Sequence, residues 1–200
     1  MSLIPRFELG LWNGWIFIIP YLLIFGFFNI LLKRLSLIKK ESPAFWASPP
    51  LTRSEKMYAW LLRVIAAILL LYSVFLPLAI DTAWFYAGLA VYLLGFAFLI
   101  LATLAFIATP VDRPNTTGIY SVSRHPVYIG TWSLLVSIGI ASASWVYILL
   151  ALLLLATMRN AVMIPEERQC CERFGDAYRE YMNRTPRLIG IPRSMKSARD

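Results

Sequence analysis

Residues 127–157, VYIGTWSLLVSIGIASASWVYILLALLLLAT, carry no charged side chain and are interrupted near the middle by Ser142-Ala143-Ser144. Small polar residues between two apolar runs are typical of a turn. The stretch therefore predicts a helical hairpin, with one helix from Tyr128 to Ser142 and a second from Trp145 to about Met163. The first helix would be ~22 Å long, which is shorter than a ~30 Å bilayer core. Either its start lies below the membrane surface, near headgroup depth, or the hairpin is tilted.

Three further apolar stretches precede the hairpin. Leu9 to Leu32 and Thr82 to Val111 are uncharged, and Met57 to Ile80 carries only Arg63, close to its start. Each exceeds the ~20 residues that cross a bilayer. The first is too long for a signal peptide and lacks a cleavage pattern. With 59% hydrophobic and 15% charged residues, the composition excludes an ordinary soluble domain and predicts an all-α integral membrane protein with about five transmembrane helices.

Basic residues predict the orientation of these helices, because they concentrate in alternate loops. The second and fourth loops contain no Lys or Arg. With five spans, this pattern places the N-terminus outside and the C-terminus in the cytoplasm. The cytoplasmic set is Lys33, Arg34, Lys39, Lys40, Arg53 and Lys56 in the first loop (33–56), Arg113 and Arg124 in the third, and the basic residues from Arg168 onward.

The net charge of +8 fits this topology and contact with anionic lipid headgroups. No array of basic and aromatic residues indicates a nucleic-acid groove, and we expect neither a nucleic-acid partner nor a metal. Cys170 and Cys171 are adjacent and predicted to be cytoplasmic, so we expect no structural disulfide.

The sequence predicts an amphipathic helix from Pro165 to Asn183, with Pro165 in its first turn. Glu166 and Glu167 would lie at its N-terminus, the positive end of the helix dipole. Burial of an unpaired carboxylate is costly, so a carboxylate on the apolar face needs partners. The pair is a first indication of a site. A second is the start of the hairpin, where free backbone N–H groups and Arg124 would attract an anion. The predicted apolar stripe is Glu167, Cys171, Phe174, Tyr178 and Tyr181.

These segments together resemble the isoprenylcysteine carboxyl methyltransferase family and its relatives, including the phospholipid N-methyltransferases. The resemblance covers roughly Asp112 to Pro192, and the helix number and short length are similar to those of the minimal prokaryotic members. The residues that carry it are Gly118-Ile119-Tyr120, Arg124-His125-Pro126, Tyr128, Gly130, Glu166-Glu167, Phe174-Gly175, Tyr178 and Tyr181.

The resemblance implies S-adenosylmethionine as the methyl donor, held between the last helices and the C-terminal segment. The resemblance implies a methyltransferase-like catalytic region over residues 112–192. The apolar stretches place the first three transmembrane helices in residues 1–111, and the short polar tail over residues 193–200 is expected to be disordered. The cofactor-binding residues that the resemblance implies are Pro114, Asn115, Tyr120, Arg124, His125, Pro126, Val127, Tyr128, Glu166 and Glu167.

One position departs from the family pattern. An arginine implicated in substrate binding stands four residues before the first carboxylate in the isoprenylcysteine enzymes, and here that position is Val162. Arg159 is the candidate substrate contact instead. Methyl transfer from a sulfonium is a direct displacement, so the protein mainly positions donor and acceptor and excludes water. A carboxylate acceptor needs no base, whereas an amine must lose a proton. No general base is assigned from the sequence.

The first hypothesis is therefore a membrane methyltransferase that acts on a lipophilic small molecule entering from the bilayer, similar to the isoprenylcysteine enzymes. Aminolipid N-methylation is a close rival. An NADPH-dependent sterol-type reductase and a non-enzymatic membrane protein that keeps the fold are further alternatives.

Overall fold

The computed structural model describes residues 8–38, 50–110 and 112–190. Over these ranges the regular secondary structure is helical. An isolated antiparallel β-bridge joins Asn13 and Pro77. The described α-helices are α1 (Trp15–Ile38), α2 (Arg53–Phe75), α3 (Ala83–Ala108), α4 (Pro126–Ala141), α5 (Trp145–Met158), α6 (Ile164–Phe174) and α7 (Asp176–Arg184).

Three described helices are long and apolar enough to cross a membrane. They are α2, α3 and the continuous helix Trp145–Phe174, while Trp15–Ile24 and Pro126–Ala141 are shorter apolar segments. The protein is thus an all-α membrane protein, as the composition predicts. The first helix starts later than expected, at Trp15, because Leu9 to Gly14 form an irregular segment. Its Gly14 amide donates to Leu76 O (2.9 Å) in the connection between α2 and α3.

The first basic loop is shorter than predicted. Helix α1 continues to Ile38, so that Lys33 and Arg34 belong to the helix, and Arg53 and Lys56 lie in the first turn of α2. Thr52 caps α2 through a capping box with Glu55. The predictions for Lys39, Lys40 and the tail 193–200 lie outside the described residues.

The predicted hairpin is confirmed. Helices α4 and α5 are joined by Ser142–Ser144, and Ala143 adopts a positive φ of 49°. The Ser144 hydroxyl accepts a hydrogen bond from the Tyr147 amide (3.3 Å), which caps α5. The Ala79 amide donates to Ala141 O (2.9 Å). This end of the hairpin is therefore fixed to the connection between α2 and α3.

Helices α3 and α4 pack closely because each carries a glycine that faces the backbone of the other helix. A Cβ at Gly88 would lie 2.5 Å from the Ala141 amide nitrogen, and one at Gly130 would lie 2.9 Å from Leu99 Cα. Small residues at such an interface let two membrane helices approach closely. The pair is antiparallel, which brings the start of α4 to the end of α3.

The end of the hairpin differs from the prediction. Helix α5 does not stop near Met163 but passes through a π-helical turn, Arg159–Met163, directly into α6. The Ile164 amide donates to Arg159 O, five residues back. Glu166 and Glu167 therefore do not lie at a free helix N-terminus, and this prediction was wrong. Their burial must be balanced by side chains instead.

The predicted single helix from Pro165 to Asn183 is also wrong. It is divided into α6 and α7 at Gly175, whose φ of 56° ends α6. The break turns the chain back, so that the segment after α7 reaches the start of α4. The predicted stripe is still used for packing, since Glu167, Tyr178 and Tyr181 are buried.

Candidate active site

Three segments converge at the end of the hairpin that is remote from Ser142–Ser144: the loop before α4, helix α6 and the residues after α7. The Arg124 amide donates to Pro186 O (3.0 Å), and the Ser123 hydroxyl donates to Arg187 O (3.2 Å). The Tyr181 hydroxyl donates to Tyr120 O (2.6 Å). These bonds hold the C-terminal segment against the loop that carries Arg124-His125-Pro126.

Glu167 is the centre of this convergence. Its carboxylate is buried, with 4% of the side chain exposed, and it accepts two hydrogen bonds from Arg187, one of them from Nε at 2.9 Å. His125 Nε2 lies 3.1 Å from Glu167 Oε1, and Arg124 Nη1 lies 3.2 Å from the same oxygen. Since a carboxylate has about four acceptor positions, these groups use most of its capacity. Glu167 thus connects three segments of the chain and is poorly placed to bind a ligand.

Arg187 is the residue that the sequence prediction missed. It follows the predicted amphipathic helix and carries no motif of its own. The available signal was physical: a carboxylate expected on an apolar face requires a cation, and Arg187 is the next basic residue after Arg184. Hydrogen bonding to Glu167 raises the pKa of the Arg187 guanidinium, which keeps this contact charged.

Glu166 has a different environment, although it is adjacent in sequence. Its carboxylate accepts a hydrogen bond from the Tyr128 hydroxyl, and 36% of its side chain is exposed. Within the described part of the chain, no Lys or Arg nitrogen lies within 4.0 Å of it. Glu166 therefore differs from Glu167 in that no described arginine or lysine pairs with its carboxyl group.

His125 lies between the two carboxylates. Its Nδ1 is 3.7 Å from Glu166 Oε2, while Nε2 contacts Glu167. The ring also stacks on Tyr128, with centroids 5.7 Å apart and planes inclined by 23°. The imidazole is buried and held on two sides. Its position is set by α6 as much as by its own loop.

Arg124 and the start of α4 retain unused donors. The Nε and Nη1 atoms of Arg124 are buried and make no hydrogen bond among the described residues, although Nη1 forms the ion pair with Glu167. Pro126 is the first residue of α4, and its neighbour Val127 is half-buried. Pro126 has no amide hydrogen, and the Tyr128 and Ile129 amides donate to His125 O. Arg124 and the Val127 amide are therefore the groups here that can bind an anion.

A second ion pair holds α6 from the opposite side. Arg168 donates to both oxygens of Glu55, at 2.8 and 3.0 Å, and to Pro50 O at 2.8 Å. Glu55 is also the capping residue of α2. The residue after Glu167 is thereby fastened to the N-terminal end of α2, which orients α6 relative to the membrane helices.

The remaining predicted residues are placed as follows. Tyr120 is buried in a 3₁₀ turn, Gly118–Ser121, and burial raises the pKa values of Tyr120 and Tyr181, so both phenols keep their protons at neutral pH. Pro114 is half-buried, and Asn115 donates to Ala105 O (3.2 Å) at the end of α3 rather than to the carboxylates. Arg159 is exposed on the π-helical turn.

Among the described residues, no group of three or more His, Cys, Asp or Glu side chains could hold a metal ion.

A comparison with models of known protein families identifies the family of this protein. The phospholipid methyltransferase model matches residues 62–177, which is more than half of the chain. The protein belongs to the phospholipid methyltransferase family. This agrees with the resemblance to the isoprenylcysteine and phospholipid methyltransferase superfamily, and it identifies an integral membrane methyltransferase. No curated protein and no solved structure matches the chain. Glu55 and Arg187 both lie outside the matched residues.

Proposed function

We propose that this phospholipid methyltransferase family member transfers a methyl group from S-adenosylmethionine to the amine of a membrane lipid, of the phosphatidylethanolamine type. The observation that carries the proposal is the partly exposed Glu166 carboxylate, which no described arginine or lysine balances. A site with unbalanced negative charge favours positively charged ligands, and both a sulfonium donor and an ammonium acceptor are positive.

The residues around Glu166 fit the donor chemically. S-adenosylmethionine supplies a methyl group on a positively charged sulfur and carries an amino-acid carboxylate. The free donors of Arg124 and the Val127 amide at the start of α4 suit that carboxylate. The rings of Tyr120 and Tyr128 suit a cation or an adenine base. We propose that Pro114, Asn115, Pro126 and Val127 complete the donor site through backbone and apolar contacts.

The position of the site suits a lipid acceptor. It lies at the end of an apolar hairpin whose outer residues Leu149, Leu152 and Leu153 are exposed. An amphiphile in the bilayer would present its headgroup at this level, so the acceptor would enter sideways. In this proposal residues 112–192 form the catalytic region and the helices before residue 112 hold it in the membrane.

We further propose that the N-terminus is outside and the site faces the cytoplasm. The support is the alternation of basic residues along the chain. Arg159, Arg168 and Arg187 all belong to the end that carries the site.

A second candidate acceptor is a prenylcysteine-like carboxylate. It is favoured by Arg159, which is exposed about two helical turns before Glu166 on the continuous helix from α5 to α6 and could bind an anion. Against it, Val162 occupies the position where the isoprenylcysteine enzymes have their arginine. An Arg159→Gln variant separates the two, because it should abolish turnover of a carboxylate acceptor and spare turnover of a simple amine.

The first test is calorimetric binding of S-adenosylmethionine, its demethylated product and NADPH to protein purified in detergent. We expect saturable binding of the first two and its loss in Glu166→Gln. Glu180→Gln is the matched control, since Glu180 is an exposed carboxylate on α7. Binding of NADPH alone would assign the protein to the reductases. Unchanged binding in Glu166→Gln would contradict the proposed site.

The second test is transfer of labelled methyl groups in vesicles that contain an aminolipid, a prenylcysteine or only phosphatidylcholine with a water-soluble amine. We expect product in the aminolipid fraction. Equal labelling of the water-soluble amine would refute lateral entry from the bilayer. Labelling of the prenylcysteine alone would select the second candidate.

A further inference from the structure

The environment of His125 supports a chemical role in addition to ligand binding. His125 is the only histidine in the sequence. Its ring bridges the balanced carboxylate of Glu167 (Nε2 to Oε1, 3.1 Å) and the unbalanced carboxylate of Glu166 (Nδ1 to Oε2, 3.7 Å). A lipid amine would reach the protein as an ammonium ion and must lose a proton before it can attack a methyl group.

The contacts of Glu167 determine which ring nitrogen carries the proton. Two guanidinium groups, from Arg187 and Arg124, lie against Glu167 and favour its ionised form. An ionised carboxylate only accepts hydrogen bonds, so Nε2 must be the donor. In the uncharged ring, Nδ1 then keeps its lone pair and points toward Glu166.

The distance between Nδ1 and Glu166 Oε2 suits a single bridging nitrogen. Two atoms 3.7 Å apart can both be reached by one ammonium group at ordinary hydrogen-bond lengths of ~2.8–3.0 Å. Building on the proposed function, we propose that His125 Nδ1 accepts a proton from the acceptor ammonium while Glu166 holds that ammonium. Glu167 is the positioning residue that fixes the tautomer of the ring.

The step balances without any further reactant. The N–H bond of the ammonium breaks, its electron pair stays on nitrogen and the proton moves to Nδ1. The neutral amine then forms the C–N bond as the C–S bond breaks, which leaves a thioether and a methylated ammonium. The imidazolium returns its proton to water. The charged and titratable groups around the ring are Glu166 and Glu167 from α6, Arg187 after α7, and Arg124 and Tyr128 beside it in sequence.

A first experiment reads the tautomer directly and does not depend on turnover. Because the chain has one histidine, ¹⁵N-histidine labelling gives one unambiguous pair of ring signals in detergent. We expect a neutral form protonated at Nε2, and a mixture of tautomers in Glu167→Gln, whose amide can donate as well as accept. A neutral ring protonated at Nδ1 in the unsubstituted protein would overturn the assignment.

A second experiment separates proton transfer from donor binding. In His125→Gln the amide can still donate to Glu167, but no imidazole base remains. We expect an affinity for S-adenosylmethionine that changes much less than kcat, a kcat on aminolipid lower by on the order of 100-fold, and a shift of the acidic limb of the pH–rate profile up toward the pKa of the amine. A lipid whose amine is made weakly basic by fluorination, and is already neutral in the assay, should restore most of the rate.

The remaining outcomes contradict the assignment. If His125→Gln weakens donor affinity and slows both acceptors equally, the ring serves the donor site and not proton transfer. If the unsubstituted protein binds no S-adenosylmethionine, the proposed function fails, and the assignment fails with it. If donor binding is normal and only the rescue is missing, the proposed function stands and the proton acceptor is another group.

Discussion

The two ends of the α4–α5 hairpin are built in different ways. At the Ser142–Ser144 end, the polar side chains of the turn are neutral, and one hydrogen bond joins Tyr72 Oη of α2 and Ser144 Oγ at 3.3 Å. Near this end, α3 and α4 pack closely because Gly88 lies against the backbone of Ala141. At the other end, Glu167 is surrounded by Arg124, His125 and Arg187. Close packing suffices to hold helices together in a membrane, whereas a cluster of buried charges is costly and is typical of a functional site.

The largest effect should come from removing the centre of the charged end. Glu167→Ala leaves two guanidinium groups and His125 without their shared partner, and breaking a buried pair in this way costs about 3–5 kcal/mol. We expect a large drop in the thermal midpoint measured in detergent. Glu180→Ala is the control, since its ion pair with Arg184 is exposed and 3.9 Å long. Equal midpoints for both variants would show that the cluster does not stabilise the fold.

The next effect should come from the packed end. In Gly88→Val the new Cβ would meet the Ala141 backbone at 2.5 Å, and overpacking costs about 1–3 kcal/mol. The folded fraction should still bind S-adenosylmethionine, because Gly88 lies at the end of α3 remote from the site. Gly26→Ala, where nothing lies within 4 Å, should not lower the midpoint, because alanine favours a helix over glycine. Loss of donor affinity in folded Gly88→Val protein would mean that the two ends are coupled.

A smaller effect is expected when the charge is kept but its geometry is changed. Arg187→Lys preserves the cation and loses the two-point contact with Glu167, which should cost about 1.5 kcal/mol for one charged hydrogen bond. The measurement compares the thermal midpoint of Arg187→Lys with that of Arg184→Lys, whose contact with Glu180 is exposed. Full stability of Arg187→Lys would show that charge alone matters at this position.

The smallest effect should appear at the packed end. The Tyr147 hydroxyl is buried and makes no hydrogen bond among the described residues, so Tyr147→Phe should leave stability unchanged or raise it by up to ~1 kcal/mol. Tyr92→Phe is the matched control, because the Tyr92 hydroxyl donates to Phe17 O at 2.9 Å. It should lose about 1 kcal/mol. A destabilised Tyr147→Phe would reveal a polar partner that the described contacts do not include.

Several features followed from the sequence because local chemistry determines them. The uncharged run 127–157 with its Ser142-Ala143-Ser144 interruption led to the hairpin, since an apolar helix must be buried in lipid or protein and small polar residues end it. The spacing of Arg124-His125-Pro126, Tyr128 and Glu166 led to the family. These are patterns of neighbouring residues, and they can be read without knowing the packing.

The arrangement of the carboxylates could not be read in that way. From the sequence, Glu166 and Glu167 form one pair at a helix start. The π-helical turn Arg159–Met163 makes α5 and α6 continuous, and the turn at Gly175 brings Arg187 back. Glu55, which fastens Arg168, is more than a hundred residues away in sequence. Which carboxylate is balanced and which faces a ligand depends on these distant contacts.

The sequence by itself therefore determined the all-α membrane class, the hairpin, the family and several of the residues that meet at its charged end, because hydrophobic periodicity and motif spacing are local properties. Only the tertiary structure decided that Glu167 holds Arg124, His125 and Arg187 together while Glu166 stays unbalanced. The physical reason is that a buried charge is stabilised by whichever partners the fold brings within hydrogen-bond distance, and chain order does not specify them.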